Sequence, residues 1–490
     1  MEESCVLDYL NKKGYTVNTS YYSLINNWIN EWKGQSSWLD VRTIENKKYP
    51  MYSLGMAKRV CEDLASIITS EPFNVKASRN DELLQDDLEK AKILEKLPKV
   101  IEIMAYSGTV ATVTRIVNAE LNNEKVVKGN KTKIKTINIK GNQIIPLTIE
   151  DDEIINCAFV SEQRRKVDNK ILNVIYLELH ELEEKGYQVT NVFFNKENGQ
   201  IIHIDGVVDT YNTLSNVPLF SICKLPKENI YDDNNGLGMA LYGDSEDQLQ
   251  ILDLVYNNFG LDFKLGQKIM VINKKLTKIE TEEYTDKDGT IRTRAKVMYP
   301  SDLQKQQFME ITDGIMGDGT NQNPYIYEYN PDLRVGDNKE GIQFALDNLS
   351  FKVGYGTHYY NFEKGDVTRT ATEALLSRKD FVDNGVKNRS IVNEYLIGVC
   401  KSILLCEKIL GANVDENQDI EIEVVDGFLQ DDETERQKLL NDVSAGLISH
   451  KRYLMKAYNM TEKEAMKELQ DIQSENNIDN IEITEEDMSE

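Results

Sequence analysis

The hydrophobic period changes at Ser107-Gly108-Thr109, and no other feature restricts the fold as strongly. Before this point apolar residues recur at helical spacing. Tyr21, Tyr22, Leu24, Ile25, Trp28 and Trp32 form one group, and Met56, Val60, Leu64, Ile67 and Ile68 form a stripe ended by Glu71-Pro72. Further helices are predicted over Asp81 to Ile93 and Leu97 to Tyr106. After the break, Val110, Thr112, Thr114 and Ile116 alternate with their neighbours, and β-branched runs through Ile134, Ile137, Ile139, Ile144, Ile149 and Ile155 continue to about Asp209. Hairpin turns are expected at Gly129-Asn130, Lys140-Gly141-Asn142, Lys185-Gly186 and Glu197-Asn198-Gly199. The fold class is α+β, with a β-rich block flanked by helices.

Helical text returns after Gly243-Asp244-Ser245, an N-cap signal, and carries Leu249, Leu252, Val255, Phe259 and Phe263 to Leu265-Gly266. Such a helix spans roughly 30 Å. Ile269 to Tyr299 is strand-like around the turn Asp286-Lys287-Asp288-Gly289, and Asp313 to Asn323 is a glycine-rich loop. A second helix begins near Asn338 and carries Ile342, Ala345, Leu346, Leu349 and Val353. The aromatic segment Gly354 to Phe362 breaks it. From Thr370 to about Leu410 there is no proline, which predicts one long helix with kinks at Gly385 and Gly398. A strand over Ile420 to Val425 and helices over Asp432 to Ser444 and Thr461 to Asp471 follow.

Charge narrows the function. The 490 residues hold 57 Lys plus Arg against 82 Asp plus Glu, a net −25. A chain that grips nucleic acid presents a basic face that releases counterions from phosphate, and this balance argues for sparse contact with any such partner. Residues 411 to 490 hold 22 acids against 7 bases, and the last 16 hold seven acids and no base, a tail expected to be disordered. No window approaches the roughly 18 to 20 apolar residues of a membrane span. Met1-Glu2-Glu3-Ser4 is acidic where a signal peptide is basic, so a soluble, non-secreted protein is expected. Six scattered cysteines (Cys5, Cys61, Cys157, Cys223, Cys400, Cys406) read as reduced, buried thiols. Four distant histidines leave little material for imidazole catalysis or a metal site.

The motifs that carry chemistry elsewhere have simpler readings here. No glycine-rich phosphate loop with its lysine occurs. His180-Glu181 opens like a zinc protease motif, but Glu184 stands where the second histidine belongs, and a surface strand end is the simpler reading. Glu280, Glu282, Glu283, Asp286 and Asp288 could hold magnesium for phosphodiester cleavage only if they converged from separate elements, whereas they share one hairpin-like stretch. Lys125, Lys128, Lys131, Lys133, Lys135 and Lys140 alternate with apolar residues, as on a solvated strand face. No catalytic residue, cofactor or metal site is assigned.

Six segments, in order, resemble the portal proteins of long-tailed bacteriophages of Gram-positive hosts. They are the Trp28/Trp32 segment, the helix Met56 to Ser66, the Gly108 break and the helix at Asp244. The string Arg369-Thr370-Ala371-Thr372-Glu373-Ala374 follows, then Asp442 to Ser449 with Tyr453. The resemblance implies a homo-oligomeric ring, usually of twelve subunits, at one capsid vertex of the virion, assembled in the host cytoplasm. Its partners would be double-stranded DNA in the channel, the major capsid protein and scaffold, the terminase large subunit, and a head-tail connector; no membrane is involved. It implies a wing over 1–243, stem helices over 244–265 and 338–353 with a clip over 266–337 between them, and a tunnel loop over 354–369. The long wing helix and strand would cover 370–425 and the crown 426–474, leaving the acidic tail 475–490. By position, the DNA-facing residues would be His358, Tyr359, Tyr360, Lys364 and Arg369 in the loop, with Lys352 on the stem. The alternatives are a structural adaptor without a channel and a metal-dependent nuclease.

Overall fold

The computed structural model describes residues 4–472 except 43–47, 123–124, 130, 168–169, 233–235, 274–278, 298–307, 312–325, 362–378, 425–431, 459, 461–464 and 471. It is 43% helical and 26% strand, in keeping with an α+β chain. Helix α1 (Ser4–Lys12) has only Val6 and Leu10 buried, too short a stripe to stand out in the sequence. Then come α2 (Ser20–Trp32), the hairpin β1 (Asp40–Arg42) and β2 (Lys48–Pro50), α3 (Met56–Ile68), β3 (Phe73–Ala77), α4 (Asp81–Ala91) and α5 (Ile93–Ser107). Lys92, at φ +56, separates α4 from α5, so α5 starts a turn before the predicted Leu97. At Gly108, φ is +76 and a Cβ would sit 2.1 Å from the Gly238 carbonyl oxygen, so only glycine fits this break.

The expected β block is present. Strands β4 (Thr109–Val117), β5 (Glu120–Asn122), β6 (Lys125–Val127), β7 (Lys133–Lys140), β8 (Ile144–Glu150), β9 (Glu153–Val167), β10 (Lys170–Glu183), β11 (Gly186–Asn195), β12 (Ile201–Ile202), β13 (Thr210–Asn212) and β14 (Phe220–Lys224) follow one another. β8 to β12 form an antiparallel meander, with β13 also on β11, and α1 covers one face by packing Val6 and Leu10 on Ile175, Leu177 and Leu179. A second antiparallel sheet has the order β14-β4-β7. Turns at Lys185 and at Asn198-Gly199 close the β10–β11 and β11–β12 hairpins as expected. The Lys140-Gly141-Asn142 turn does not close a hairpin, because β7 pairs with β4 and β8 with β9. It carries the chain between sheets, and Gly141 is required because a Cβ there would lie 2.4 Å from the Ser107 carbonyl oxygen. The β8–β9 hairpin turns instead on Asp151 and Asp152, both at positive φ.

Helix α6 (Glu246–Leu265) leads into β15 (Ile269–Asn273), β16 (Ile279–Thr285), β17 (Ile291–Val297), β18 (Phe308–Ile311) and β19 (Ile326–Tyr329). The chain returns through α7 (Val335–Lys352). β15 lies between β18 and β19, and β16 pairs with β17 around Asp286 to Gly289. Helix α8 (Lys379–Ile409), strand β20 (Ile420–Val424), α9 (Asp432–Ser444) and α10 (His450–Ala457) follow, and residues 465–470, inside the last expected helix, are helical. β20 pairs with β3, joining the two ends of the chain. The glycine-rich 313–323 stretch, the start of the long helix before 379 and the acidic tail lie outside the described residues.

Gly385 and Gly398 do not end or divide α8, which runs through both. They are points of close approach. A Cβ at Gly385 would lie 2.7 Å from Ile67 Cγ1 of α3, and one at Gly398 would lie 2.5 Å from Ser221 Oγ of β14. Missing side chains let α8 lie flat on the body, where Val392, Leu396, Val399 and Ile403 join the main core. Helix propensity alone makes Gly→Ala favourable by about 1 kcal/mol. Gly398→Ala is nevertheless expected to lower the urea midpoint, since Ser221 must give up its hydrogen bond to the Tyr395 carbonyl to make room.

Candidate functional site

Helices α6 and α7 form a two-helix arm. Asp262 near the end of α6 accepts hydrogen bonds from Arg334 (2.8 Å) and Asn338 (2.7 Å) at the start of α7. Midway, Gly341 faces Val255, and at the other end Lys352 Nζ lies 3.9 Å from an Asp244 carboxylate oxygen. These pairings run in opposite directions along the two helices, so the arm is antiparallel and the β15–β19 module lies between its distal ends.

The base of the arm is fixed by carboxylates. The buried Asp253 of α6 accepts from Trp38 Nε1 (3.0 Å), Ser53 Oγ (2.9 Å) and the Leu54 N–H (3.0 Å). At the first residue of the helix, Glu246 accepts from Trp28 Nε1 at 2.9 Å. The third tryptophan, Trp32, donates to Glu102 of α5 at 3.1 Å. Every indole N–H of the chain thus meets a carboxylate. The sequence reading found the tryptophans and not these partners, because nothing in an acid-rich sequence marks which acids are buried.

A buried acid without such a donor lies beside them. Glu31 of α2 is buried and its Oε2 has no hydrogen-bond partner. Burial, reinforced by the Glu246 charge, pushes its carboxyl up to about 8. The arm's outward faces are apolar: Ile251 and Leu254 on α6 are about half exposed (53% and 48%), and Phe344 and Phe351 on α7 are more open still (71% and 69%).

α7 ends in a Schellman arrangement, with Gly354 N–H donating to the Phe351 carbonyl and Tyr355 N–H to that of Ser350. Gly354 and Gly356 adopt left-handed backbone, as does His358 (φ +64), a conformation strained for a residue with a side chain. The coil turns Tyr355 into the core. Its ring packs edge-on against Phe381, and its hydroxyl donates to the Val60 carbonyl of α3 at 2.5 Å. Tyr360 donates to Asp63 of the same helix at 2.8 Å, and Gln343 of α7 donates to the Tyr360 carbonyl at 2.8 Å. Burial raises the Asp63 carboxyl above its usual range, against the hydrogen bond from Tyr360 and the charge of Arg59.

The residues singled out from the sequence are therefore not equivalent. His358 is exposed, with Nδ1 2.8 Å from an Asp347 carboxylate oxygen. Tyr359 and Tyr360 lie against the core, with rings on Tyr355 and, for Tyr359, Phe381. Lys352 sits by Asp244 at the arm's base. Lys364 and Arg369 lie outside the described residues.

The other motifs resolve differently. His180 is not at a surface strand end. It is fully buried in β10, edge-on to Phe159 and Phe220, with Nε2 3.4 Å from Glu178 Oε1. Glu178 is paired with Arg115 of β4 across the two sheets; burial pushes its carboxyl up, and the Arg115 charge, the neighbouring His180 and the Arg115 hydrogen bond together outweigh that and hold it low. The second sheet covers the face of β10 that carries Glu178 and His180. The acids of the 280–288 stretch occupy one hairpin, with Glu280 opposite Lys296 and Glu282 opposite Arg294, while Asp286 lies 3.2 Å from Arg292. Among the described residues, no three His, Cys, Asp or Glu side chains are grouped to hold a metal. Lys133 and Lys135 are exposed on β7, whereas Lys128 binds the buried Glu407 at 2.7 Å. All six cysteines are free; five are buried and Cys5 is partly exposed. No helix among the described residues is long and apolar enough to cross a membrane.

No protein-family model matches this chain, and no curated protein matches it in sequence. Among solved structures, a chain described as "Neck of empty GTA particle computed with C6 symmetry" superposes with a TM-score of 0.42 at 9% identity, covering 88% of this chain and 92% of that one.

Two measurements probe the base of the arm. Asp253→Ala leaves an indole N–H, a hydroxyl and a backbone N–H without their acceptor, so a loss of about 3 kcal/mol is expected in urea unfolding followed by tryptophan fluorescence. For Glu31 the folded pKa lies above the unfolded one, so its contribution is fullest below the unfolded value near 4.5 and is lost as pH rises through about 8. Glu31→Gln is expected to stabilise the protein relative to the parent, by an amount that grows between pH 5 and pH 9. Parallel urea midpoints across that range check the sign.

Proposed function

We propose that this chain is a phage head-to-tail structural protein, and specifically a portal subunit: a non-enzymatic ring at one capsid vertex through which DNA is packaged and ejected. The observation that supports this reading most is the α6–α7 arm. It rises from a mixed helix and sheet body, holds a β module between its distal ends and presents Ile251, Leu254, Phe344 and Phe351 outward. Isolated apolar residues are ordinary on a surface, but an outward stripe on both helices of a projecting pair calls for cover, which neighbouring copies in a ring supply.

In this reading residues 1–243 and 370–425 form the wing, the two helices the stem, 266–337 the clip that meets the terminase and later the head-tail connector, and 426–474 the crown. The net −25 suits a channel wall: packaged DNA must slide in both directions, and a lumen that bound phosphate strongly would hold it. His358 and Lys352 are the described candidates for the channel side. Tyr355, Tyr359 and Tyr360 instead pack against the body, and Lys364 and Arg369 lie outside the described residues.

The test is assembly. Purified protein is expected to give annular particles of uniform mass, with a central opening in negative stain. Phe344→Glu combined with Phe351→Glu is expected to leave a folded monomer by circular dichroism while abolishing the rings. Rings that persist in this variant would remove the arm from the interface. A parent protein that remains monomeric at high concentration, or forms particles without an opening, would sink the portal reading in favour of an adaptor.

A further inference from the structure

A cleft of about 1010 Å³ lies between the tip of the β8–β9 hairpin, strand β14 and the middle of α8. β14 is an edge strand, paired only with β4 in the order β14-β4-β7. Antiparallel pairing alternates, so every second residue turns its backbone groups away from its partner. The Thr114 N–H donates to the Leu219 carbonyl, and Leu219 precedes the register in which Phe220 opposes Val113. Residues 219, 221 and 223 therefore bond to β4, while Phe220 and Ile222 direct their N–H and C=O outward into the cleft that both residues line. Among the described residues, no backbone or side-chain group takes up these two pairs. Exposed edges of this kind are normally blocked by a charge, a proline or a covering element, because an unpaired edge templates another strand.

The rim carries the second signal. Lys224 is bound to Asp152 at 2.8 Å, and Lys227 lies 4.0 Å from Asp244, so the cations of the cleft already have carboxylate neighbours. Asp151, Glu153, Glu228 and Glu394 are exposed around it, with no ion pair among the described residues. Its apolar floor includes the partly exposed Ile149, Ile222 and Ile391; Phe220 and Tyr395 also line it but are nearly buried.

We propose that this cleft receives an extended, lysine- or arginine-bearing segment of another protein, added as a further strand on the free edge of β14. Backbone pairing to Phe220 and Ile222 supplies the register, apolar side chains at alternate positions meet the floor, and basic ones meet the acidic rim. The five residues of β14 span roughly 17 Å, enough for a short strand. This chain's own acidic end, with seven acids and no base in its last 16 residues, has the wrong charge to fill the cleft. The inference does not depend on ring formation.

The experiment uses the full chain and a fluorescein-labelled eight-residue peptide alternating lysine with valine, beside its glutamate counterpart. The lysine peptide is expected to bind in fluorescence anisotropy, to weaken about tenfold between low and physiological salt, and to slow amide hydrogen exchange at Phe220 and Ile222. Two variants separate the contributions. Glu153→Lys with Glu394→Lys is expected to weaken binding at least tenfold through the rim alone. Ile222→Pro removes one outward N–H without touching the β4 ladder, and is expected to abolish protection at Phe220. Equal binding of the glutamate peptide, binding that leaves Phe220 and Ile222 exchanging freely, or no binding of the lysine peptide would overturn the proposal. So would protection of both amides in the assembled protein without peptide, since a second copy would then cover the edge.

Discussion

A pair of helices projects from a body only if its base resists rotation, and in this molecule that resistance comes from carboxylates held out of water against donors of the body. Asp253 takes three such donors and Glu246 a fourth. Hydrogen bonds to a charged acceptor contribute about 1.5 to 3 kcal/mol each, and the cost of removing one partner is larger because the rest stay buried. Apolar packing alone would let α6 slide along the body. An indole N–H aimed at one carboxylate oxygen does not, so the two tryptophan bonds set the height and the rotation of the arm together.

The same chemistry recurs where sheets and helices meet. Arg115 and Glu178 join the two sheets, Lys128 reaches the buried Glu407 on α8, and Lys408 binds Glu416, which also accepts from Ser215. Part of the acid surplus is thus internal and paired, and the exposed remainder is what a partner would meet. Where acids are buried close together without enough cations, as at Glu31 and Asp87, burial and the neighbouring acid raise the carboxyl instead, to about 8 and about 6. Neutralising a buried acid costs less than leaving its charge unpaired in a poor dielectric.

Periodicity carried much of the fold in the sequence. The α3 stripe, the switch to strands after Gly108, α6 and α9 lie close to where the spacing of apolar residues puts them. What the sequence left hidden are facts of tertiary contact. The pairing of β3 with β20 joins residues more than 300 positions apart, and neither strand signals the other. Gly385 and Gly398 read as kinks in one long helix because propensity sees only the helix, whereas their role is to admit Ile67 and Ser221. His180 reads as a surface strand end, yet a second sheet covers its face of β10 and Glu178 meets its charge partner there. For the site, the aromatic turn was visible as composition, but which tyrosine turns inward depends on left-handed residues at 354, 356 and 358 that spacing cannot reveal.

Those inward tyrosines couple the arm to the long helix. Tyr355 and Tyr360 reach Val60 and Asp63 of α3 on one side, and Gln343 holds the same turn to α7 on the other. α3 in turn receives α8 at the Gly385–Ile67 approach, and Phe381 near the start of α8 packs on Tyr355 and Tyr359. Displacing the end of α7 therefore cannot leave α8 undisturbed unless two tyrosine hydroxyls first lose their acceptors and a packed aromatic group opens. Both steps expose buried groups to water, and Ile342, Leu346 and Leu349 of α7 are held in the same core, so displacement of the arm's end is resisted. The turn thus ties the projecting arm to the helix that follows through α3 and one aromatic group.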